Sequence, residues 1–480
     1  MKILLAAAAS AIAMASAAFA DGPVPQADNT WYKQGQAAIQ ARLAVQPNTN
    51  RAKNVIILIA DGNGVATNGA IRIWQGQQMG KLGEEHVLAY ETFPNIALSK
   101  TYNTNAQTPD SAGTGTAMMT GIKTKAGVLG VDETVSRGDC NAAAKGAVAS
   151  IGDLFAQDGR SVGFVSTARI THATPASGYA KVADRNYEDN SSLPDGCTVP
   201  DIAAQLIADM KSGVVDIALG GGRRHFLPKD VKGDEGKAGK RTDGKNLIEE
   251  AKAAGIQYVW DDKTAAAADL GKPILGLFES SHMKYENDRS GEPTLAQMTA
   301  MAIKALSKNG KGFFLQIEGG RVDHANHDGN LHRVVTDDKD TLIIVTADHE
   351  HAIAFNGYCG RGTPITGLCY KIDNKGTKYK AEPNLAADGK PYTVVGYLNG
   401  AGSVLKKQAD GSFSGTRPDL TQEQATDADY LQQALIPMSS ETHSGEDVAI
   451  YAKGPFSHLV NGTMEQSEIF HVMMHAATGK

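Results

Sequence analysis

The chain has 480 residues, enough for two domains or one large α/β domain with insertions, and ample for a sizeable core. Its net charge is −6 with no basic block, which argues against a nucleic-acid partner. Beyond Ala20 no stretch is long and apolar enough for a membrane span.

Lys2 precedes an apolar, Ala-rich run from Ile3 to Ala18, and Ala18-Phe19-Ala20 forms a small-x-small cleavage site before Asp21. This reads as a secretory signal peptide over 1–20, so residues 21–480 form the exported protein, periplasmic or secreted. Next comes NVIILIA (Asn54 to Ala60), apolar and rich in β-branched residues, followed by Asp61-Gly62. Similar runs lie at Ser161–Ser166, Ile217–Leu219, Ile274–Leu277, Gly312–Ile317 and Thr341–Thr346. Several are almost continuously apolar, as strands buried on both faces should be. Helical stretches such as Val199–Met210 and Thr294–Leu306 fall between them. Alternation of this kind predicts an α/β fold, a three-layer sandwich around a large, mostly parallel sheet. From Glu350 to about Glu441 the chain turns Gly-, Pro- and Lys-rich, which reads as a loop-rich insertion at about 352–440. Cys140, Cys197, Cys359 and Cys369 suit two disulfides in an exported protein. Sequence order pairs Cys140 with Cys197 and Cys359 with Cys369, one of three possible connectivities. No close C-x-x-C pair favours a zinc-thiolate site instead.

Function in such folds gathers beyond the carboxyl ends of the strands. There Asp61 follows the first strand, Glu318 follows GFFLQI, and Asp348-His349 follow TLIIVT. Asp323 and His327 are four apart, so one helical turn puts both on one face, a pairing suited to zinc although one such pair alone is more often an exposed helix face. His349 and His351 cluster with Asp348, and His443 stands beside a Gly turn. Of thirteen histidines, six fall in these clusters, at His324 beside Asp323 and at His172, and the other seven are read as surface or satisfied core residues. Between these clusters, Thr108–Ala117 places Ser111 after Asp110 in a run of small residues. Such a run either lets a substrate approach the backbone or opens a tightly packed helix. A helix starting there would put Ser111 at its positive end, favourable for an anion. Several ligand clusters point to two metals, roughly 4 Å apart, as in phosphoryl transfer.

Six strings together resemble the alkaline phosphatases: LIADGNG (58–64), TPDSAGTGTAMMTG (108–121), STARITHATPASGYA (166–180), FFLQIEGGRVDHANHDGN (313–330), VTADHEH (345–351) and ETHSGEDVAIYAKGP (441–455). They stand in the family's order. The resemblance implies that residues 21–480 are one phosphomonoesterase domain using two zinc ions and one magnesium ion per chain. Ser111 becomes the phosphoserine nucleophile. Asp323, His327 and His443 hold the first zinc. Asp61, Asp348 and His349 hold the second, with Asp61 bridging to a magnesium site completed by Thr174 and Glu318. Arg185 grips the phosphate, oriented by Asp110, and a guanidinium suits that bidentate task. Some bacterial members carry Asp and Lys where this chain has His172 and His324, as animal enzymes do. His172 is then expected near magnesium, where softer ions compete, and His324 near the phosphate. Phe278 and Glu279 resemble part of a calcium site of animal members, although by themselves they read as a plain acidic loop. The family also implies a homodimer acting on small phosphate monoesters. Two rival readings are a phosphodiesterase of the same superfamily and a metal- or phosphate-binding protein with impaired turnover. The latter arises because only Leu331–Asp340 separate Asn330 from TLIIVT, about twenty residues fewer than the family pattern, little for a parallel crossover. That shortening leaves open whether Asp348 and His349 reach their place.

Overall fold

A computed structural model of the chain describes residues 25–336, 344–373 and 379–479. Residues 1–20, read as a signal peptide, lie outside them. Two compact units are separated, Met1–Gln46 and Pro47–Lys480. In the first, the Asn29 side chain accepts from the Trp31 N–H and starts a helix over Thr30–Leu43, none of whose residues is buried.

The second unit is built on a ten-stranded sheet. Its order is Gly462–Glu465, Asn95–Lys100, Val448–Ala452, Ile344–Thr346, Val55–Ile59, Phe313–Glu318, Ser161–Arg169, Ile217–Gly221, Ile274–Leu277 and Gln257–Val259. All neighbours pair in parallel except Val448–Ala452, which runs against both strands beside it. The apolar runs are strands because both faces are covered. Ile57 and Ile59 join one core with Phe164, Phe314, Met118, Leu206 and Met473. Ile56 and Leu58 face the opposite core with Leu315, Ile317, Met298 and Leu306. Helices Ser111–Thr120, Ile202–Ser212 and Glu468–Thr478 therefore cover one face and Leu295–Leu306 the other, giving three layers.

The expected strands are all present, although of Thr341–Thr346 only Ile344–Thr346 lies within the described residues. The short connection from Asn330 does not displace that strand. A helix at Leu331–Thr336 buries Leu331, Val334 and Val335 against Val322, Ala325, Ile353 and Val395, and Ile344–Thr346 pairs in register with Ile57–Ile59. Residues 337–343 are outside the description. Within the stretch read as an insertion, a three-stranded sheet of Ile353–Phe355, Val395–Gly400 and Ala434–Pro437 packs on that same cluster.

Both disulfides pair as sequence order suggests, Cys140–Cys197 with Cα atoms 5.6 Å apart and Cys359–Cys369 at 4.9 Å. They close loops with sequence separations of 57 and 10. Chain entropy alone then assigns about 4 kcal/mol to the first and about 3 kcal/mol to the second. Replacing Cys140 and Cys197 with Ser is expected to lower the melting temperature more than the same change at Cys359 and Cys369. Thermal melts of the two double variants check this, and the reverse order would refute it.

Candidate active site

The parallel strands end at one edge of the sheet, and the acidic and imidazole groups gather there. Ile59 is level with Glu318 and with Thr346, so Asp61 and Asp348 leave neighbouring strands at matching heights. Val448–Ala452 runs the other way, so its beginning, not its end, lies at this edge. His443, a few residues before it, is thereby delivered to the same place and pairs with His351.

Ser111 is the first residue of the helix Ser111–Thr120, and Asp110 is its cap, accepting from the Gly113 N–H at 3.1 Å. The same carboxylate accepts from the Gly127 N–H at 3.0 Å and from Arg185 at 3.0 Å. Asp110 thus ties the start of the helix to the guanidinium. Burial pushes its carboxyl up, but Arg185 and the two backbone N–H groups outweigh that and hold it below its ordinary value. The small residues that follow serve packing. The whole helix is buried, a Cβ at Gly113 would lie 2.2 Å from Asn103, and one at Gly115 would lie 2.7 Å from Ser177. Tight packing therefore accounts for the two glycines of the run.

The Ser111 hydroxyl lies 3.2 Å from His349 Nε2, which is 3.4 Å from Asp61 and 3.3 Å from Asp348. Asp61, Asp348 and His349 form one set of potential ligand atoms lying within 4.8 Å of one another. Asp61, His172 and Glu318 form a second, and Thr174 donates to Asp61 at 3.4 Å. A third joins Asp323 and His443 with His349 and His351. His327 stands 3.3 Å from Asp323 and 3.0 Å from His443. Arg185 reaches His172 Nε2 at 3.0 Å, linking the guanidinium to the second set.

Burial dominates the electrostatics. It pushes the Asp61 and Asp348 carboxyls up, reinforced by neighbouring carboxylates, and Glu318 up to about 7. Burial lowers His349 and His172 well below the usual imidazole range, His443 adding to the first and Arg185 to the second. Asp323 is the exception: burial raises it, but His327, His351 and His443 together hold it well below the carboxylate range. Asp61 Oδ1, Glu318 Oε1, His172 Nδ1 and His349 Nδ1 are buried without a hydrogen-bond partner. Orphaned acceptors and neutral imidazoles packed among mutually raised carboxylates are a donor set that a divalent cation satisfies.

His324 donates through Nδ1 to the Gly320 carbonyl at 2.7 Å, and its ring lies 3.9 Å from that of His282. His282 is also 5.4 Å from the His172 ring, and both of its nitrogens meet Arg169, so it is a satisfied histidine that borders the site. His225, by contrast, is a satisfied core residue, 2.5 Å from Asp189. Phe278 and Glu279 are not drawn into the site. The Glu279 carboxylate faces Lys237 at 3.7 Å and Lys284 at 3.9 Å, and among the described residues it joins no ligand set.

Sequence reasoning gave His351, Glu441 and Glu350 no role. His351 is 2.9 Å from Asp323 through Nε2 and 2.5 Å from Glu441 through Nδ1, and the two carboxylates outweigh burial to push it up to about 10. With a carboxylate at each nitrogen it holds Asp323 in place. Glu441 also accepts from the Ala352 N–H at 2.7 Å, while its backbone carbonyl is 2.7 Å from His327 Nδ1. Gly62 makes the room, since a Cβ there would lie 2.3 Å from His351 Nε2. The HEH run was the available signal.

The alkaline phosphatase family profile matches residues 52–478. The chain is 40% identical over 483 residues to the tissue-nonspecific alkaline phosphatase isozyme of Gallus gallus, covering 93% of this chain and 89% of that protein. It is 39% identical to the human isozyme, covering 93% and 88%. A membrane-bound alkaline phosphatase of Bombyx mori matches at 40%, covering 93% and 84%. Among solved structures, the alkaline phosphatase of Thermus thermophilus superposes with a TM-score of 0.61 at 22% identity, over 92% of this chain and 95% of that one. That of the Antarctic bacterium TAB5 gives 0.58 at 22%, over 91% and 100%. The profile match over residues 52–478 and the relatives at 39–40% identity over 93% of the chain place it in the alkaline phosphatase family, as a phosphoric monoester hydrolase.

Proposed function

We infer that the chain hydrolyses phosphate monoesters through a phosphoserine formed on Ser111. The observation that carries this is the Ser111 hydroxyl 3.2 Å from His349, itself in contact with Asp61 and Asp348. Asp323, His327 and His443 would hold one zinc ion, and Asp61, Asp348 and His349 a second. Asp61, Thr174 and Glu318 would hold magnesium, with His172 beside it. Such ions, when bound, supply Lewis-acid stabilisation of the charge on attacking and leaving oxygens. Arg185, held by Asp110, takes two phosphate oxygens in a bidentate grip and aligns phosphorus with Ser111. The serine oxygen forms the new P–O bond as the bond to the substrate alcohol breaks. Water then cleaves the phosphoserine, releasing phosphate and restoring the hydroxyl. His324 borders the phosphate side. These groups grip phosphate and not the alcohol, so broad tolerance of leaving groups follows.

The same reading makes residues 1–20 a signal peptide, 21–480 one catalytic domain, and the protein an exported homodimer. Two disulfides suit an oxidising compartment, and among the described residues no helix is long and apolar enough to cross a membrane. The deciding experiment pairs elemental analysis with turnover of an aryl phosphate monoester and the matching diester. Expected are about two zinc ions per chain and a clear preference for the monoester. Zinc without hydrolysis would instead support a binding protein, and preference for the diester a phosphodiesterase.

A further inference from the structure

Glu350 stands between the ligand sets without belonging to any of them. It is buried, 4% exposed, immediately after Asp348-His349 and opposite Ser444 in the short ladder that pairs His351 with His443. Its carboxylate reaches across to the loop that follows Asp61. Oε1 accepts from the Gly64 N–H at 3.1 Å and the Thr67 hydroxyl at 2.8 Å, and Oε2 from the Ala66 N–H at 3.0 Å. Oε1 also lies 3.2 Å from the N–H of His351.

The receiving loop is shaped for this group. The helix Val65–Gln78 starts at Gly64, which has no side chain to cap it, so a carboxylate 286 residues away does so. A Cβ at Gly64 would lie 2.1 Å from Glu350 Oε2, so only glycine leaves the carboxylate its seat. One residue beyond Asp61, the Gly62 N–H donates to Asp348 at 3.1 Å. The loop is thus fastened twice to one segment, once by a ligand candidate and once by Glu350.

We propose that Glu350 is a positioning residue that locks the Asp61 loop to the Asp348–His349 strand end and so sets the spacing of the Asp61/Asp348/His349 metal set. The proposal rests on the metal-site reading above. Without Glu350, Gly64 and Ala66 N–H groups and the Thr67 hydroxyl lose their buried acceptor, and the loop carrying Asp61 is free to shift. Partners outside the ligand shell govern metal affinity in this way, typically by about 10–100-fold.

The experiment measures zinc affinity of the full-length protein by competition with a chromophoric chelator, alongside kcat, KM and thermal melts. In Glu350→Ala one zinc site is expected to weaken by about 10–100-fold while the other keeps its affinity, with kcat falling more than KM changes. Glu350→Gln retains one acceptor oxygen and should fall in between. Gly64→Ala, which pushes on the carboxylate from the loop side, should reproduce the selective loss and serves if Glu350→Ala does not fold. Variants that bind both zinc ions as wild type does overturn the proposal. So does equal weakening of both sites in step with the melting temperature, the signature of a mere helix cap. Wild-type protein that takes up no zinc overturns the metal-site reading and this proposal with it.

Discussion

Ser111→Ala is expected to lower turnover of an aryl phosphate by at least about a thousand-fold, as loss of a nucleophile does. The fold should not suffer. Ser111 begins a buried helix capped by Asp110 through the Gly113 N–H, a bond that leaves the Ser111 side chain uninvolved, and alanine is a better helix former than serine. Arg185 and the ligand sets also remain. The variant should therefore still bind inorganic phosphate and zinc while failing to form a phosphoserine. Mass spectrometry of acid-quenched reactions separates these outcomes. Near wild-type turnover, or phosphate found on another residue, would remove Ser111 from the nucleophile's role.

Stripping the metals with a chelator should abolish activity, a loss of several kcal/mol of charge stabilisation or about a thousand-fold and more. Stability should fall too, and the fall should deepen with pH. In the metal-free chain burial raises Asp61, Asp348 and Glu318, so each carboxyl ionises more readily once unfolded, and stability drops as pH rises through the folded values. For Glu318 that window runs from its ordinary 4.5 to about 7. His351, raised from 6.5 to about 10, contributes stability that is complete below 6.5 and lost as pH rises through about 10. His349 and His172, lowered by burial, act in the opposite sense, but only below their ordinary 6.5. Between pH 7 and 9, then, metal-free protein should become less stable, while metal-loaded protein gains because its ligands are deprotonated for binding. Thermal melts with and without zinc at the two pH values test this. A gap between loaded and stripped melting temperatures that narrows at pH 9 would contradict it.

Much of the site was legible because its parts are local. Asp61, Glu318 and Asp348 each follow an apolar run, and Asp323 and His327 lie one helical turn apart. The shortened connection after Asn330 looked threatening because strand placement depends on register. That register comes from Ile344–Thr346 pairing with Val55–Ile59 and from Leu331 and Val334 finding a core. His282 looked solitary because nothing within its own stretch of chain points to His324; packing alone brings the rings to 3.9 Å.

By itself, then, the sequence determined the strand runs and their polar ends, the family, and which residue types stand ready as ligands, since these depend on periodicity and short spacings. Tertiary structure alone decided the antiparallel strand that turns His443 toward the site, the seating of His351 between Asp323 and Glu441, and the reach of Glu350 to Gly64. Those contacts join residues far apart in the chain, where no periodicity registers them and only the meeting of strand ends and loops makes them.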